Sequence, residues 1–364
     1  MRMIRMNVSQ ARSRRLNRVV ALGATLMLAA GMSACSALKS ESSSSASAPH
    51  TIAPGKTLTV STSFYPIQYL AEAIGGKLVK VSTVTPSNVE PHDFELSGKE
   101  TAELGKADLI AYVPGFQPSL DKAVKEVGSG PTVVDLSKPA NLVHHEGVEE
   151  EHEHGEEATD GASASAAATA QASEAEHDEH GHDEHAEGGE GHDGDLDPHF
   201  WLDPDRMIKV AEALEASFAK IDPANANDYK AGLDKLKTAL TGVDNQYKQG
   251  FTSCQHKTFI TSHAAFGYMA ERYGLTQASI SGIDPETEPS PAEMANIKSV
   301  VEKTGVKTIF TEELVSDAPA KAIAAETGAE TSVLSPLESK PEQGDYTDAM
   351  TTNLERLKSA MVCK

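Results

Sequence analysis

The stretch PDRMIKVAEALEASFAKIDPANANDYKAGLDKLKTALTGVDNQYKQG occupies residues 204–250. Its apolar positions Met207, Ala211, Leu214, Phe218 and Ile221 step by 4, 3, 4 and 3, the spacing of one face of an α-helix. After Pro223 the spacing resumes through Tyr229, Leu233, Leu236, Leu240, Val243 and Tyr247, with Gly232 and Gly242 inside the run. As a helix this second run would span roughly 36 Å. Short β-like runs alternate with helix-like segments on both sides of it. The long helix therefore joins two similar halves and acts as a stiff backbone that limits how far they swing.

In the first half, strands are expected over 58–62, 78–84, 109–113 and 132–136. Helices are expected over 67–74, over 98–106 behind the capping residue Ser97, and over 119–127. The second half repeats the scheme, with strands over 258–261, 277–280, 307–311 and 331–334. Its helices start near 264, 292 and 319, and a last one runs from 346 to about 361. The expected class is α/β: two Rossmann-like lobes with mostly parallel sheets, joined by one long rigid α-helix. The lobes are assigned to residues 56–222 and 251–364, and the connecting helix to 223–250.

Charge separates two appendages from this body. The chain of 364 residues carries 32 Lys and Arg against 54 Asp and Glu, a formal charge of −22. Six arginines precede position 35, and residues 144–197 hold nineteen acids with no Lys or Arg; setting both segments aside takes the charge to −9. That acidic balance argues against binding nucleic acid or an anionic membrane surface, since both are polyanions. The apolar run 19–32 is too short to cross a bilayer but suits a signal-peptide core. It ends at Met-Ser-Ala-Cys (32–35), and small residues before a Cys followed by a Ser-rich run resemble a bacterial lipobox. Residues 1–34 are thus expected as a lipoprotein-type signal peptide, Cys35 as the lipidated residue, and 35–55 as a flexible tether. Such a chain is extracytoplasmic and held at the membrane by its N-terminal lipid. Two further cysteines, Cys254 and Cys363, are expected to pair in that oxidising compartment.

The histidines carry the chemistry. Nine of the fourteen fall in the insert: His144, His145, His152, His154, His177, His180, His182, His185 and His192. Of the others, His50 sits in the tether and His256 precedes its strand, on the wrong edge. His92 (Val-Glu-Pro-His-Asp-Phe-Glu), His199 (Asp-Pro-His-Phe-Trp-Leu-Asp-Pro) and His263 (Thr-Ser-His-Ala-Ala-Phe-Gly-Tyr) each follow the carboxyl end of an expected strand. In open α/β sheets ligands bind at that edge, so loops from two facing lobes can converge on one cleft. Glu338, in Leu-Ser-Pro-Leu-Glu, obeys the same rule, although Glu312, Glu313 and Asp345 occupy comparable loop positions. Three imidazoles and a carboxylate suit a tetrahedral ion, with Zn²⁺ the leading candidate over Mn²⁺.

These motifs, together with Glu-Pro-Ser-Pro (288–291), resemble the zinc ABC-transporter solute-binding lipoproteins of the ZnuA/AdcA type, over nearly all of the chain from Lys56 onward. The resemblance implies two α/β lobes joined by a rigid helix with the metal between them. It implies extracytoplasmic capture of zinc and delivery to an ABC permease driven by a cytoplasmic ATPase. It also implies His92, His199, His263 and Glu338 as ligands. Manganese-binding relatives place a carboxylate where this chain has His263, which favours zinc. A monomer is expected.

The insert, residues 144–195, has almost no bulky apolar side chains and is expected to be disordered. Its imidazoles and acids would make many weak, exchangeable metal sites that raise the local ion concentration, or would serve only as a solvated spacer. Two competing classes are a zinc hydrolase and a lipoprotein or adhesin that uses zinc for stability alone. A hydrolase needs an open metal position and a nearby base, and neither a His-Glu-x-x-His helix nor a Gly-x-Ser-x-Gly elbow occurs in the chain. No catalytic residue is expected.

Overall fold

Alternation of strand and crossover helix produces the same parallel sheet twice. The computed structural model describes residues 51–145 and 196–364, all within one compact unit. The signal peptide, Cys35, His50 and seven of the insert's histidines, from His152 to His192, lie outside the described residues. In the first half β1 (Leu58–Thr62), β2 (Val79–Thr83), β3 (Leu109–Tyr112) and β4 (Thr132–Asp135) lie in the order β2-β1-β3-β4, every pair parallel. In the second, β5 (Thr258–Thr261), β6 (Thr276–Ser279), β7 (Thr308–Thr311) and β8 (Glu330–Val333) take the matching order β6-β5-β7-β8. Val60 registers with Val81 and Leu109, and Ile260 with Ala278 and Ile309. In each sheet the chain leaves its first strand to one side and returns to the other, which opens a crevice at the carboxyl ends of the strands.

The crossovers are α1 (Tyr65–Gly75), α2 (Gly98–Leu104) and α3 (Pro118–Val127), with a short α4 (Ser137–Ala140) after β4. α5 (Pro204–Ile221) and α6 (Ala226–Gly250) follow, then α7 (Gly267–Tyr273), α8 (Pro291–Thr304), α9 (Ala318–Thr327) and α10 (Tyr346–Ala360). Local chemistry sets several of these starts. Ser97 and Ser290 form capping boxes with Glu100 and Glu293. The Glu-Pro-Ser-Pro motif is therefore a helix start, with Pro291 at the first turn. α7 begins at Gly267, later than the expected 264. The stretch ahead of it is tied to neighbouring segments: Ala264 donates to Gly282 O (2.9 Å) and Phe266 to Gln277 Oε1 (3.1 Å).

α6, 25 residues and about 37 Å long, is the connecting helix. It buries Tyr229, Leu233, Leu236, Leu240, Val243 and Tyr247, which contributes roughly 10–15 kcal/mol as an upper estimate. Its first half packs so closely on α1 that a Cβ on Gly232 would fall 2.2 Å from Ile74 O. Its second half is tied to α10 by Tyr247 Oη donating to Met350 O (2.7 Å). Asp244 draws in α7, accepting from Arg272 Nε at 2.8 Å and Tyr273 Oη at 3.2 Å. Phe64 and Leu109 of one half and Phe259 and Leu334 of the other belong to a single buried cluster with α5, α6 and α10. The halves thus share one core. Cys254 and Cys363 form a disulfide that pins the C-terminus beside the approach to β5. No described helix is long and apolar enough to cross a membrane.

Candidate metal centre

His92, His199, His263 and Glu338 converge, each offering a ligand atom within 4.8 Å of the others, and all four side chains are buried. His92 stands in the loop after β2, His263 directly after β5, and Glu338 after β8. His199 immediately precedes a 3₁₀ turn, Phe200–Leu202, that leads into α5. His199 Nε2 lies 3.3 Å from His263 Nε2 and 3.5 Å from Glu338 Oε1. Glu338 Oε1 is 3.6 Å from His92 Nε2 and 3.8 Å from His263 Nε2. Nitrogen and oxygen ligands about 2.0–2.1 Å from a tetrahedral zinc ion lie about 3.3–3.4 Å apart, so these spacings are near those of a formed shell. The polar atoms give an independent test. His92 Nε2 and Glu338 Oε1 are buried with no hydrogen-bond partner, an expense that a cation between them removes.

The ring nitrogens that face away from this point are anchored. His199 Nδ1 donates to Asp197 Oδ1 (2.7 Å) and His263 Nδ1 to Glu312 Oε1 (2.8 Å). The same carboxylate oxygens accept the backbone N–H of each histidine, at 2.9 and 3.3 Å. This pairing fixes the tautomer and leaves Nε2 as the free lone pair aimed at the centre. Glu90 accepts the His92 backbone N–H at 3.0 Å, and Gln117 Nε2 donates to Pro91 O at 2.9 Å, so the His92 loop is held from two sides. Trp201 crosses between the halves: its Nε1 donates to Pro336 O (2.7 Å), which steadies the Glu338 loop. Leu337, just before Glu338, sits in the left-handed region with φ 61° and is braced by a hydrogen bond to Ser335 Oγ.

Phe116 stands edge-on to His92 (4.6 Å), and Trp201 lies 5.0 Å from the His199 ring, so the pocket wall is aromatic on this side. Charges respond accordingly. Burial alone would raise Glu338, but His199 and His92 hold it well below the usual carboxylate range. Burial pushes His92 down. Burial would also lower His199, yet Asp197 and Glu338 carry it up to about 9.

The structure therefore brings together all four candidate ligands. His256, whose backbone N–H donates to Met361 O, serves the C-terminal anchor. His145, expected to belong to the disordered, metal-capturing insert, is instead ordered: its ring nitrogens face Asp197 Oδ2 (2.7 Å) and Glu271 Oε2 (3.4 Å). His144 is solvent-exposed. Asp197 was missed as a site residue, and Glu312 was weighed as a rival to Glu338 when it supports His263. The acid-Pro-His triplets Glu90-Pro91-His92 and Asp197-Pro198-His199 carried the signal, because an acid two positions ahead can accept the histidine N–H.

Twin α/β lobes around a shared spine, with a three-histidine, one-carboxylate centre between them, define a two-lobed metal-binding protein. Residues 60–360 match the profile of the ZnuA family, "Zinc-uptake complex component A periplasmic", and the chain belongs to that family. It is 36% identical over 317 residues to the high-affinity zinc uptake system protein ZnuA of Bacillus subtilis, covering 85% of this chain and 89% of the relative. It is 35% identical over 325 residues to the zinc-binding protein AdcA of Streptococcus pyogenes, covering 85% of this chain but 57% of that protein, so it spans little more than half of the relative's length. The Zn(II)-bound ZnuA-like domain of Streptococcus pneumoniae AdcA superposes with a TM-score of 0.62 at 26% identity, covering 84% of this chain and 99% of that domain.

Proposed function

We propose that this chain is the extracytoplasmic zinc-binding component of an ABC importer. It captures Zn²⁺ at His92, His199, His263 and Glu338 and delivers it to a membrane permease powered by a cytoplasmic ATPase. The observation that carries this reading is the pair of buried, unpartnered acceptors, His92 Nε2 and Glu338 Oε1, facing two imidazoles whose outer nitrogens are already anchored. Zinc is cargo here. Four protein ligands complete its shell and leave no open position for a catalytic water, which supports transfer and opposes hydrolysis. Six-coordinate, oxygen-preferring Mn²⁺ suits this nitrogen-rich set less well. The reading includes a lipid anchor at Cys35, a monomeric chain, and an insert whose remaining histidines raise the local zinc concentration.

The test is a zinc and manganese titration of soluble chain lacking residues 146–192, with bound metal counted per chain. One tight zinc site and much weaker manganese binding are expected. Loss of the tight site with the insert would overturn the cleft as the place of capture.

A further inference from the structure

His145 is the last described residue before the stretch 146–195, and Asp197 is the second residue after that stretch. These two ends close on each other: Asp197 N–H donates to Val143 O at 2.9 Å. Tyr268 on α7, from the other half of the chain, clasps both. Its hydroxyl accepts from Val143 N–H (2.8 Å) and donates to Asp197 O (2.7 Å). The His145 ring stands edge-on to Tyr268, centroids 4.4 Å apart at 89°, with Nδ1 on Asp197 Oδ2 at 2.7 Å. The seat exists only because residue 267 is glycine: a Cβ there would fall 2.6 Å from His145 Cγ and 2.8 Å from its Cβ and Nδ1.

Asp197 is fully buried, and its Oδ1 already accepts both the ring Nδ1–H and the backbone N–H of His199. A buried carboxylate needs donors on both oxygens if it is to stay ionised and in one orientation. Among the described residues, His145 is the donor that reaches Oδ2. We propose that His145 is a positioning residue for the metal centre: by bonding Asp197 Oδ2 it holds that carboxylate on His199, and so keeps His199 Nε2 aimed at the ion. The proposal rests on the zinc-binding reading above. It also withdraws His145 from ion capture by the insert, because both of its ring nitrogens face acids.

Three variants of the full chain test it. His145→Phe fills the seat without a donor. His145→Asn returns an N–H near the Nδ1 position. Gly267→Ala displaces the ring while leaving His145 in place, and alanine suits a helix better than glycine. Tight-site affinity is read by competition with a chromophoric zinc chelator, the ligand geometry by the visible spectrum of the cobalt-loaded protein, and folding by thermal unfolding after metal is stripped. His145→Phe and Gly267→Ala are expected to weaken zinc binding by about tenfold or more and to alter the cobalt spectrum. His145→Asn should return both toward the parent, and all three stripped proteins should unfold near the parent temperature. Parent-like affinity in the Phe and Gly267→Ala proteins overturns the proposal. So does an Asn variant as weak as Phe, or an affinity loss that merely follows a lower unfolding temperature. His263→Ala is the control: if it keeps the tight site, the metal centre itself has been misplaced, a result distinct from failure of the His145 relay.

Discussion

A carboxylate beside a histidine does two things in this chain: it takes the main-chain N–H, and it sets which ring nitrogen is free. Glu312 does both for His263 from the end of β7, where nothing local in the sequence marks it. Glu312→Gln should therefore weaken zinc by about 10–100-fold, while alanine at His92, His199 or His263 should cost more, since each removes a ligand outright. Chelator competition measures both, and an unchanged Glu312→Gln protein would show that the orienting bond is dispensable. A different acid, away from the metal centre, adds its own pH dependence. Asp108 accepts from Lys56 Nζ (2.7 Å), Thr59 N–H (2.9 Å) and Thr59 Oγ1 (2.6 Å). Burial would raise it, but these bonds bring its pKa to about 2. Because the folded value lies below the unfolded one, the contribution is present above about pH 4 and is lost as pH falls through about 2. Urea melts should show Asp108→Asn less stable than the parent at neutral pH, with the gap closing across that window.

At the scale of one helix, the two glycines of α6 make opposite predictions. Gly232 faces Ile74 O with no room for a methyl group, whereas a Cβ on Gly242 meets nothing within 4 Å. Gly232→Ala should destabilise by about 1–3 kcal/mol through overpacking, and Gly242→Ala should stabilise by about 0.5–1 kcal/mol through helix propensity alone. Denaturant unfolding of the pair decides it, and equal shifts would mean that α1 and α6 do not pack as closely as described. Most elements were legible from the chain. β1 and β5 fall at their expected bounds because short apolar runs end in clear turns. The loops of His92, His263 and Glu338 were legible because they follow β2, β5 and β8, whereas His199 lies beyond α4 and the insert, just ahead of the 3₁₀ turn into α5. What could not be read were contacts between distant segments. α7 starts late, after a stretch in which Ala264 and Phe266 bond to Gly282 and Gln277. His145 looked like one more imidazole of the insert because its partners Glu271 and Tyr268 are more than 120 positions away.

Across the whole molecule, the two sheets do not meet as hinged jaws. α6 is packed on α1, bonded to α10 and ion-paired to α7, and the cluster containing Phe64, Trp201 and Leu334 runs without a break from one half to the other. Zinc should then change the spacing of the halves little. Spin labels at Lys122→Cys on α3 and Glu302→Cys on α8, both exposed, should move by less than about 2 Å on zinc addition. A larger shift would show that the shared core yields. A caliper locked at one opening passes only what fits its gap. With the span set by the α6 framework, four donors all within 4.8 Å of one another have little room to spread for the additional oxygens that manganese or calcium demands. On the zinc-binding reading proposed above, rejection of the wrong ion would be written into the stiffness of the frame, far from any atom that touches the metal.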